Sequence, residues 1–537
     1  MTSVFQPFSV DDAYGRKECV PEVQHNQLTQ WQGIYSPRYW WPTMGVHLIA
    51  ANLDCDVTVM DWPTLDEFEA EVKKGYDYVG ISFIHASFLK FKKMAERVRE
   101  LSPNTKIIAG GFGATISQLP ESTEVDYVCQ GEGIRYMRDL LGQDPEFEFN
   151  HPHLHAELIR FMGVPVDMIR RVKDLFSSKK DGFYTNILVT GLGCTNGCEF
   201  CASSHFFNCK FLPFMRSGRE IYDNMARLTK MSGANGYMFV GDENFLLDKK
   251  RAEELWKLQR DSEEEYVIRL IFASIDRLEQ FDPEMLAEMD IDHVWVGLES
   301  LQFPFPKTKG RDVRKVLDGL RSVGIKLILS SILFLDDHDQ ENIQKDIDFH
   351  ISLNPEHSQF AGLAAPEGTP LYERLDEEGR ILHDVPLEER HAFKQIWFSH
   401  PNFSLYESEI FQRDAYLRDL HELGPSSFRT MMTNARALPK LEKMKSPRIK
   451  VRAKRLREEA TGVKPLLLAG AMVAENEQLR KVQMDMLDEL QEICGKLTPL
   501  DRAKAEVLAN IARVKMWKDR NWESALQPKS RTVRYPA

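Results

Sequence analysis

The sequence predicts an α/β protein with an N-terminal Rossmann-like domain, a partial (β/α)6 barrel and a C-terminal helical region. Two alternations of short apolar strands with amphipathic helices predict the first two parts, because parallel strands need helical crossovers. The loss of strand signals after about residue 376 predicts the third part. We expect domains over residues 1–145, 186–375 and 376–537, with a linker over 146–185.

Length and composition agree with a multidomain globular protein. The chain has 537 residues, and its 43% hydrophobic and 28% charged content is typical of that class. A net charge of −12 argues against a nucleic-acid partner, which needs a basic face. The sequence has no apolar run of membrane-spanning length and no signal peptide, and three of its eight cysteines crowd together. A reduced, cytoplasmic setting is therefore expected.

The first alternation covers residues 57–135 and includes an amphipathic helix over 88–101. Its strand candidates are 57–63, 76–83, 106–115 and 125–133. The ends of the last two strand candidates carry glycines, and glycine allows the backbone to approach a ligand closely at the carboxyl edge of such a sheet. The segment GGFGAT lacks the third glycine of the dinucleotide fingerprint, so we reject an NAD site.

The second alternation begins at residue 186. Its strand candidates are 186–193, 237–243, 267–274, 292–300, 325–335 and 357–366, with helical stretches between them such as 218–231 and 341–353. Six such units predict a partial parallel barrel, with its chemistry at the carboxyl ends of the strands.

A cysteine motif follows the first barrel strand. The segment GLGCTNGCEFCASSHFF (191–207) contains Cys194, Cys198 and Cys201. Three soft thiolates can bind three irons of a [4Fe–4S] cubane, which leaves the fourth iron open for the amino and carboxylate groups of S-adenosylmethionine (SAM). Structural zinc is the alternative, although no second pair of ligands lies nearby. Cys209 is either a spare ligand or a small buried apolar residue.

This segment resembles the cluster motif of the radical SAM superfamily, CxxxCxφC, in which an aromatic residue precedes the last cysteine. GDE after the second barrel strand is similar to the family's GGE motif, which binds the SAM amino group, with Asp in place of the middle Gly. Polar residues that end the third and fourth strands fall where the family contacts the SAM ribose and methionyl groups, and ordinary strand-end residues are the alternative for both. The resemblance implies six SAM-binding residues: Phe200, Gly241, Asp242, Glu243, Ser274 and Glu299.

Two further parts of the chain resemble the subgroup of this superfamily that carries an N-terminal cobalamin-binding domain. AAPEGTPLYERL (364–375) is similar to the segment that ends the barrel in this subgroup. YVGISFIHASF, IIAGGFGATIS and VDYVCQGEGIRYM resemble successive strand ends of its cobalamin domain. Altogether the resemblance covers roughly residues 40–375.

The resemblance implies that cobalamin binds base-off, with its tail in the glycine-lined cleft, because the D-x-H-x-x-G motif is absent here as it usually is in the subgroup. Where the family often has G-G-x-H, this sequence has GFG at residues 111–113. His85 could approach the corrin, and a solvated or core histidine is the alternative. The implied cobalamin-binding residues are Ser82, His85, Ser87, Gly110, Gly111, Gly131 and Glu132.

The resemblance implies an enzyme with a [4Fe–4S] cluster, SAM and cobalamin as cofactors, served by an external electron donor such as flavodoxin or ferredoxin. The cluster and SAM would supply a 5′-deoxyadenosyl radical and cobalamin a methyl group, so C-methylation of an unactivated carbon is the first expectation. Ring formation, ring contraction or oxidation without methyl transfer is the second hypothesis. A cobalamin- or redox-sensing protein without turnover is the third.

The substrate is expected to be a small or lipid-like molecule. Several aromatic side chains could line an apolar cavity or belong to the core: Trp31, Tyr35, Tyr39, Trp40, Trp41, Phe206 and Phe207. The basic stretch 440–459 could make a peripheral membrane contact with anionic lipid headgroups. The alternatives for this stretch are a solvated helix face and pairing with the acidic body of the protein.

Overall fold

The computed structural model describes residues 1–15, 26–29, 31–166, 184–232, 236–303, 305–521 and 526–537. Residues 167–183 of the predicted linker therefore lie outside the described residues. The strands are β1 (Arg38–Trp40), β2 (Val57–Asp61), β3 (Tyr78–Ser82), β4 (Lys106–Gly110), β5 (Tyr127–Val128), β6 (Leu154–Phe161), β7 (Val164–Pro165), β8 (Tyr184–Leu188), β9 (Gly191–Leu192), β10 (Leu212–Pro213), β11 (Tyr237–Val240), β12 (Val267–Phe272), β13 (His293–Glu299), β14 (Lys326–Leu333), β15 (His357–Gly362) and β16 (Arg531–Tyr535).

Helices account for most of the remaining described chain. The α-helices are α1 (Asn26–Thr29), α2 (Met44–Ala50), α3 (Leu65–Val72), α4 (Phe88–Leu101), α5 (Leu119–Ser122), α6 (Gly133–Leu140), α7 (Ala202–Phe206), α8 (Gly218–Ser232), α9 (Lys249–Arg260), α10 (Ile275–Leu278), α11 (Pro283–Glu288), α12 (Val313–Arg321), α13 (Gln340–Ser352), α14 (Pro370–Glu377), α15 (Leu405–Leu423), α16 (Ser426–Leu441), α17 (Pro447–Gly462), α18 (Lys464–Met472), α19 (Glu477–Cys494) and α20 (Pro499–Asn521). Short 3-10 helices lie at Gly33–Tyr35, His85–Ser87, Phe112–Thr115, Phe245–Leu247 and Leu387–Glu389.

The N-terminal domain is built on a sheet in which β3, β4 and β5 are parallel. Residues at the start of the chain connect β2 to β3. The amide of Thr2 donates to the carbonyl oxygen of Gly80 at 2.9 Å, and the amide of Met60 donates to that of Met1 at 3.0 Å. Helices between successive strands give the doubly wound arrangement, so the predicted Rossmann-like domain is confirmed.

The last strand, β16, pairs antiparallel with the outer side of β2. The expectation that residues 376–537 are helical throughout is therefore wrong for Arg531–Tyr535, although α15–α20 confirm a helical region before it. The segment RTVRY contains β-branched and aromatic residues, which favour a strand. Its backbone hydrogen bonds are made with β2, which lies far away in the sequence. The limits of the domains themselves stay predictions.

The barrel contains the six predicted parallel strands. They pair in the order β8, β11, β12, β13, β14 and β15. Antiparallel β6 and then β1 extend the sheet beyond β8. Strands β11 to β14 are mostly apolar, as expected for parallel strands that are covered on both faces, whereas β8 and β15 each contain several polar residues.

Helix α17 packs across the amino ends of the barrel strands. The guanidinium of Arg448 donates to the carbonyl oxygen of Tyr266, just before β12, at 3.0 Å. Arg452 is fully buried and donates to the carbonyl oxygen of Gly324 at 2.9 Å and to the carboxylate of Asp290 at 2.5 Å. The helix therefore closes the end of the barrel that lies opposite the predicted site.

These contacts decide how the basic stretch 440–459 is used. Arg448, Arg452 and Arg455 bond to barrel residues, and Arg455 donates to Asp290 at 2.7 Å. The alternative of pairing with the acidic body holds for Arg452 and Arg455, which pair with Asp290, whereas Arg448 bonds to backbone carbonyl oxygens. The predicted contact with lipid headgroups is wrong for these three arginines, because their guanidinium groups are already bonded. Across the described ranges, no helix combines the length and the apolar content needed to cross a bilayer.

Candidate functional site

The three predicted cluster cysteines lie in one tightly folded segment between β9 and α7. Cys194 is buried, and its carbonyl oxygen accepts a hydrogen bond from the hydroxyl of Ser204 at 3.2 Å. The carbonyl oxygen of Cys198 accepts from the amide of Cys201 at 2.9 Å and pairs with the ring Nε2 of His205 at 3.1 Å. Backbone bonds within the segment thus fix the positions from which the thiols project.

A glycine at the start of this segment makes the fold of the loop possible. Gly193 has a φ of +80°, and a Cβ at this position would overlap the carbonyl oxygen of Lys210. A side chain here would separate the start of the loop from its returning strand. Gly193 therefore keeps the cysteine segment closed.

The thiols suit an iron–sulfur cluster. Burial raises the pKa of the Cys194 and Cys198 thiols, so a bound metal is needed to hold them as thiolates near neutral pH. Among the residues that the structure describes, no three His, Cys, Asp or Glu side chains gather around one point as a single metal ion requires. A cubane needs no such point because each thiolate binds a different iron.

The GDE residues follow β11 and reach the start of the cysteine segment. The amide of Gly241 donates to the carbonyl oxygen of Leu188 at 2.9 Å, which holds the motif beside the end of β8. The carboxylate of Glu243 accepts from the amide of Gly193 at 2.9 Å. Burial and the charge of Asp242 raise the pKa of Glu243 to about 7. The protein therefore does little to stabilise the negative charge of this carboxylate, which makes the carboxylate suited to bind an ammonium group.

Asp242 is bonded within the protein. It is fully buried and accepts from the amide of Thr190 at 2.9 Å and from the guanidinium of Arg251 at 3.0 Å. Arg251 also donates to the hydroxyl of Thr190 at 3.0 Å. This ion pair accounts for Asp in place of the middle Gly of the motif. Asp242 positions the motif, and its predicted direct contact with SAM is not supported by these bonds.

Ser274 and a neighbour of Glu243 form a second polar group at this end of the barrel. The side-chain amide of Asn244 donates to the hydroxyl of Ser274, the residue before α10, at 3.0 Å. The carbonyl oxygen Oδ1 of Asn244 is buried and finds no hydrogen-bond partner among the described residues. A buried polar atom without a partner fits a site that a polar ligand completes. Sequence reasoning missed Asn244, although its place directly after Glu243 was a signal.

Glu299 reaches the cysteine segment from the end of β13. Its φ of +61° is a strained conformation for a residue with a side chain, and its carboxylate forms an ion pair with Lys307. Burial alone would lower the pKa of Lys307, but the charges of Glu299, Cys198 and Cys201 raise it, so a buried ammonium faces the cysteines. No sequence signal marked Lys307, which lies in a loop.

The aromatic residue of the cysteine motif packs at the rim of the site. The ring of Phe200 meets the ring of Phe305 edge to face, with centroids 5.4 Å apart. Phe200 therefore lies with the other predicted SAM residues at the carboxyl ends of the barrel strands.

The predicted cobalamin edge lies against the cysteine segment. Ser82 and Gly110 pair at the carboxyl ends of β3 and β4. Gly131 has a φ of +86°, and a Cβ at this position would come within 3.6 Å of the carbonyl oxygen of Phe206 in α7. The rings of Phe112 and Phe206 also meet, with centroids 5.0 Å apart. The carboxyl edge of the N-terminal sheet and the segment that carries the cluster cysteines are predicted separately from the sequence. In the structure they thus face each other.

His85 borders a cavity at this interface. Its ring Nε2 pairs with the hydroxyl of Thr115 at 3.2 Å, and burial lowers the pKa of His85 to about 4, so the imidazole is neutral at neutral pH. The cavity has a volume of about 120 Å³ and is also lined by Tyr372 and His391. His85 is therefore neither solvated nor packed in a closed core.

Glu132 and Ser87 have local structural roles. Glu132 caps the amino end of α6, and its carboxylate accepts from the amides of Ile134 at 2.6 Å and Arg135 at 3.1 Å. Ser87 is buried directly before α4. The Glu132 carboxylate is engaged as a helix cap, so its predicted contact with cobalamin is not supported by these bonds.

The barrel-end segment similar to P-x-x-GTP joins the two domains. The carboxylate of Glu367 accepts from the amide of Ser117 at 2.7 Å. Gly368 has a φ of +85° and lies against Thr115. A Cβ added at Gly368 would be 3.3 Å from the Cβ of Thr115. This docking fixes the N-terminal sheet edge over the barrel.

Gly111→Ala is expected to release bound cobalamin and to lower the free energy of unfolding by about 2–4 kcal/mol. Gly111 has a φ of +79°, and its Cβ would lie 2.6 Å from the carbonyl oxygen of Phe83. Gly75 has a φ of +78° with open space around it, so Gly75→Ala is the matched control. The control should cost about 1 kcal/mol and keep the cofactor. Cobalamin absorbance after gel filtration and thermal unfolding measure both effects, and equal behaviour of the two variants would contradict the expectation.

Glu243→Gln is expected to weaken SAM binding by about 1–3 kcal/mol at pH 7.5, because a charge-assisted hydrogen bond is lost. With a pKa of about 7, Glu243 is mostly ionised at pH 7.5 and mostly protonated at pH 6. The advantage of the wild type over the variant should therefore shrink between these two pH values, by at most about eightfold, because that is the fall in the ionised fraction of a group with a pKa of about 7. Equilibrium dialysis of SAM against cluster-loaded protein measures it.

Glu199→Gln is the control for this experiment, because Glu199 is an exposed carboxylate in the same cysteine segment. It should bind SAM like the wild type at both pH values. A gap between wild type and Glu243→Gln that does not change with pH would contradict the assignment of Glu243.

Comparison with known sequences gives three findings. Residues 35–141 match the family model of the B12 binding domain. An uncharacterized methyltransferase of Pyrococcus horikoshii is 22% identical over 365 residues, which cover 62% of this chain and 78% of the relative. The hopanoid C-2 methylase of Rhodopseudomonas palustris is 24% identical over 204 residues, covering 36% of this chain and 38% of the relative.

Among solved structures, a similar one is that of the radical S-adenosylmethionine methyltransferase TsrM of Kitasatospora setae with cobalamin and a [4Fe-4S] cluster bound. It has a TM-score of 0.49 and 15% sequence identity, and the alignment covers 75% of this chain and 93% of that chain.

Proposed function

Because this chain belongs to the cobalamin-dependent radical SAM enzymes, we propose that it transfers a methyl group to an unactivated carbon of an apolar substrate. The observation that carries the proposal is the contact between the two cofactor edges, where Gly131 and Phe112 meet Phe206 beside the cysteine segment. Methyl transfer needs both cofactors beside one substrate carbon. The names of the two curated relatives, a methyltransferase and a methylase, support the same outcome.

Different residues of the site would hold the different cofactors. Cys194, Cys198 and Cys201 would hold the cluster, and Glu243 with Asn244 would bind the amino group of SAM. The glycine-lined edge of β3, β4 and β5 would take the corrin. When bound, the cluster and SAM supply a 5′-deoxyadenosyl radical, and cobalamin supplies a methyl group.

An aromatic row on the barrel supports an apolar substrate. Trp41 packs on Phe239 with centroids 5.1 Å apart, Phe239 lies 6.1 Å from Phe272, and Phe272 stacks on Trp295 at 5.2 Å. Alternate residues of the same strands, such as Ile271, pack in the core under the helices. The aromatic row therefore faces the inner side of the sheet, where it can contact hydrocarbon and exclude water from a radical.

One polar atom in this row favours a substrate with a hydrogen-bond acceptor. The indole nitrogen of Trp41 is buried and has no partner within the described ranges. The indole nitrogen of Trp295, in contrast, donates to the hydroxyl of Ser330 at 2.6 Å. Of the other aromatic residues singled out in the sequence, Tyr35 and Trp40 are buried in other cores. The resulting substrate class is a lipid-like molecule with at least one oxygen function.

Anaerobic reconstitution of the full chain with iron, sulfide and cobalamin tests the proposal. The reduced protein is incubated with methyl-labelled SAM and either a total lipid extract or a polar small-molecule extract. Labelled product from the lipid extract, with two SAM consumed for each methyl group, is the expected result. 5′-Deoxyadenosine without labelled product would point to ring formation or oxidation instead. Failure to cleave SAM would favour a sensor.

A further inference from the structure

Within the part of the chain that the structure describes, helix α20 leaves one apolar face exposed to solvent. Ala505, Ala509 and Ala512 are fully buried against the other C-terminal helices. On another face, Leu500, Val507 and Val514 have relative exposures of 63%, 60% and 56%. These three residues are each seven positions apart, so they form one row along the helix.

A second exposed row completes a coiled-coil pattern. Ala503, Asn510 and Trp517 follow the first row at a spacing of three, and all three are exposed. Alternate spacings of three and four are the a and d positions of a heptad, which form the seam between two helices. Isolated apolar residues on a surface are ordinary, but a row with this period is not.

The charges beside the seam favour an antiparallel partner of the same sequence. Glu506 and Arg513 occupy successive g positions on one side of the seam. The guanidinium of Arg513 also donates to the side-chain oxygen of Asn510 at 2.9 Å, so it lies along the edge of the seam. In an antiparallel pair, Glu506 of one helix lies opposite Arg513 of the other, and the two-fold axis repeats this contact. The same arrangement sets Ala503 opposite Val514, and Val507 opposite Asn510. The surface is therefore complementary to itself.

A bilayer fits this face less well than a second helix. Asn510 lies in the middle of the seam, where an amide among acyl chains would lose its hydrogen bonds. Coiled coils tolerate one polar residue in the seam, which sets the register.

We propose that α20 pairs antiparallel with α20 of a second copy of this chain, so that the protein forms a homodimer. The seam spans six positions, so the dimer is expected to dissociate on dilution. This inference does not depend on the reaction that the protein catalyses.

Sedimentation velocity of the full chain over a range of concentrations tests the dimer. Glu506→Arg and Arg513→Glu should each raise the dissociation constant by about tenfold, because two symmetric ion pairs become repulsive. The double variant Glu506→Arg with Arg513→Glu should restore the wild-type constant. Unfolding alone cannot explain such a rescue.

Val507→Asp should give a monomer at every concentration. Tyr406, which is 72% exposed on α15, provides the control Tyr406→Asp, which should dimerise like the wild type. A wild-type monomer at all concentrations, or a dimer that survives Val507→Asp, would overturn the proposal. So would a wild-type monomer that pellets with phosphatidylglycerol vesicles while Val507→Asp does not, because the face would then belong to a bilayer.

Discussion

Replacing Cys198 by alanine is expected to abolish the iron–sulfur absorbance of the reconstituted protein and all cleavage of SAM. Two thiolates cannot hold the cubane in place of three. The fold should survive, because the bonds that shape the segment use the carbonyl oxygen of Cys198, which accepts from Cys201 and contacts His205. Absorbance and electron paramagnetic resonance spectra, with chromatography of 5′-deoxyadenosine, measure the result.

Cys209→Ala is the matched control, because Cys209 belongs to the same folded segment. Its sulfur lies 3.7 Å from the ring Nδ1 of His205. The cluster and SAM cleavage should persist in this variant. Loss of the cluster in Cys209→Ala, or a cluster of unchanged spectrum in Cys198→Ala, would contradict the assignment of the three ligands.

Arg452→Leu is expected to lower the free energy of unfolding by about 3 kcal/mol, because it removes a buried charge that bonds to the barrel. The side chain is fully buried, donates to Asp290 at 2.5 Å and to the carbonyl oxygen of Gly324 at 2.9 Å. Leucine fills part of the space but leaves the carbonyl oxygen unsatisfied. Arg455 still donates to Asp290, which keeps the loss moderate. Urea unfolding followed by tryptophan fluorescence measures the change.

Lys454→Leu is the comparison for this variant, since Lys454 is an exposed cation two residues further along the same helix. Its free energy of unfolding should stay within about 0.5 kcal/mol of the wild type. If Arg452→Leu were as stable as Lys454→Leu, the cost of burying the guanidinium would cancel its bonds, and α17 would close the barrel by apolar packing alone.

Local patterns in the sequence predict much of the fold and the centre of the site. Strand-length segments between helical stretches mark all six barrel strands, and β11 to β14 are mostly apolar, since parallel strands buried on both faces favour apolar residues. The cysteine spacing marks the proposed cluster ligands, because three thiolates must come from one short loop. The amphipathic helix predicted over 88–101 matches α4 (Phe88–Leu101), whose apolar face packs on the N-terminal sheet.

Long-range relations could not be predicted in this way. Lys307 reaches the cysteines only because β13 and the loop after it bring it there, and a lysine in a loop has no distinguishing pattern. Asp242 and Glu132 have the expected residue types, but their carboxylates bond to Arg251 and to the amides of α6. Sequence does not reveal whether a carboxylate already has a partner inside the protein.

Strand β16 affects how the N-terminal domain, residues 1–145, can be isolated. Its backbone covers the outer side of β2. A fragment that ends at residue 145 would expose a row of amides and carbonyls able to recruit strands from other molecules, and exposed sheet edges of this kind promote aggregation. Attaching the segment RTVRYPA through a flexible linker would cover this edge of β2. The smallest soluble fragment of the N-terminal domain must therefore include residues from the C-terminal end of the sequence.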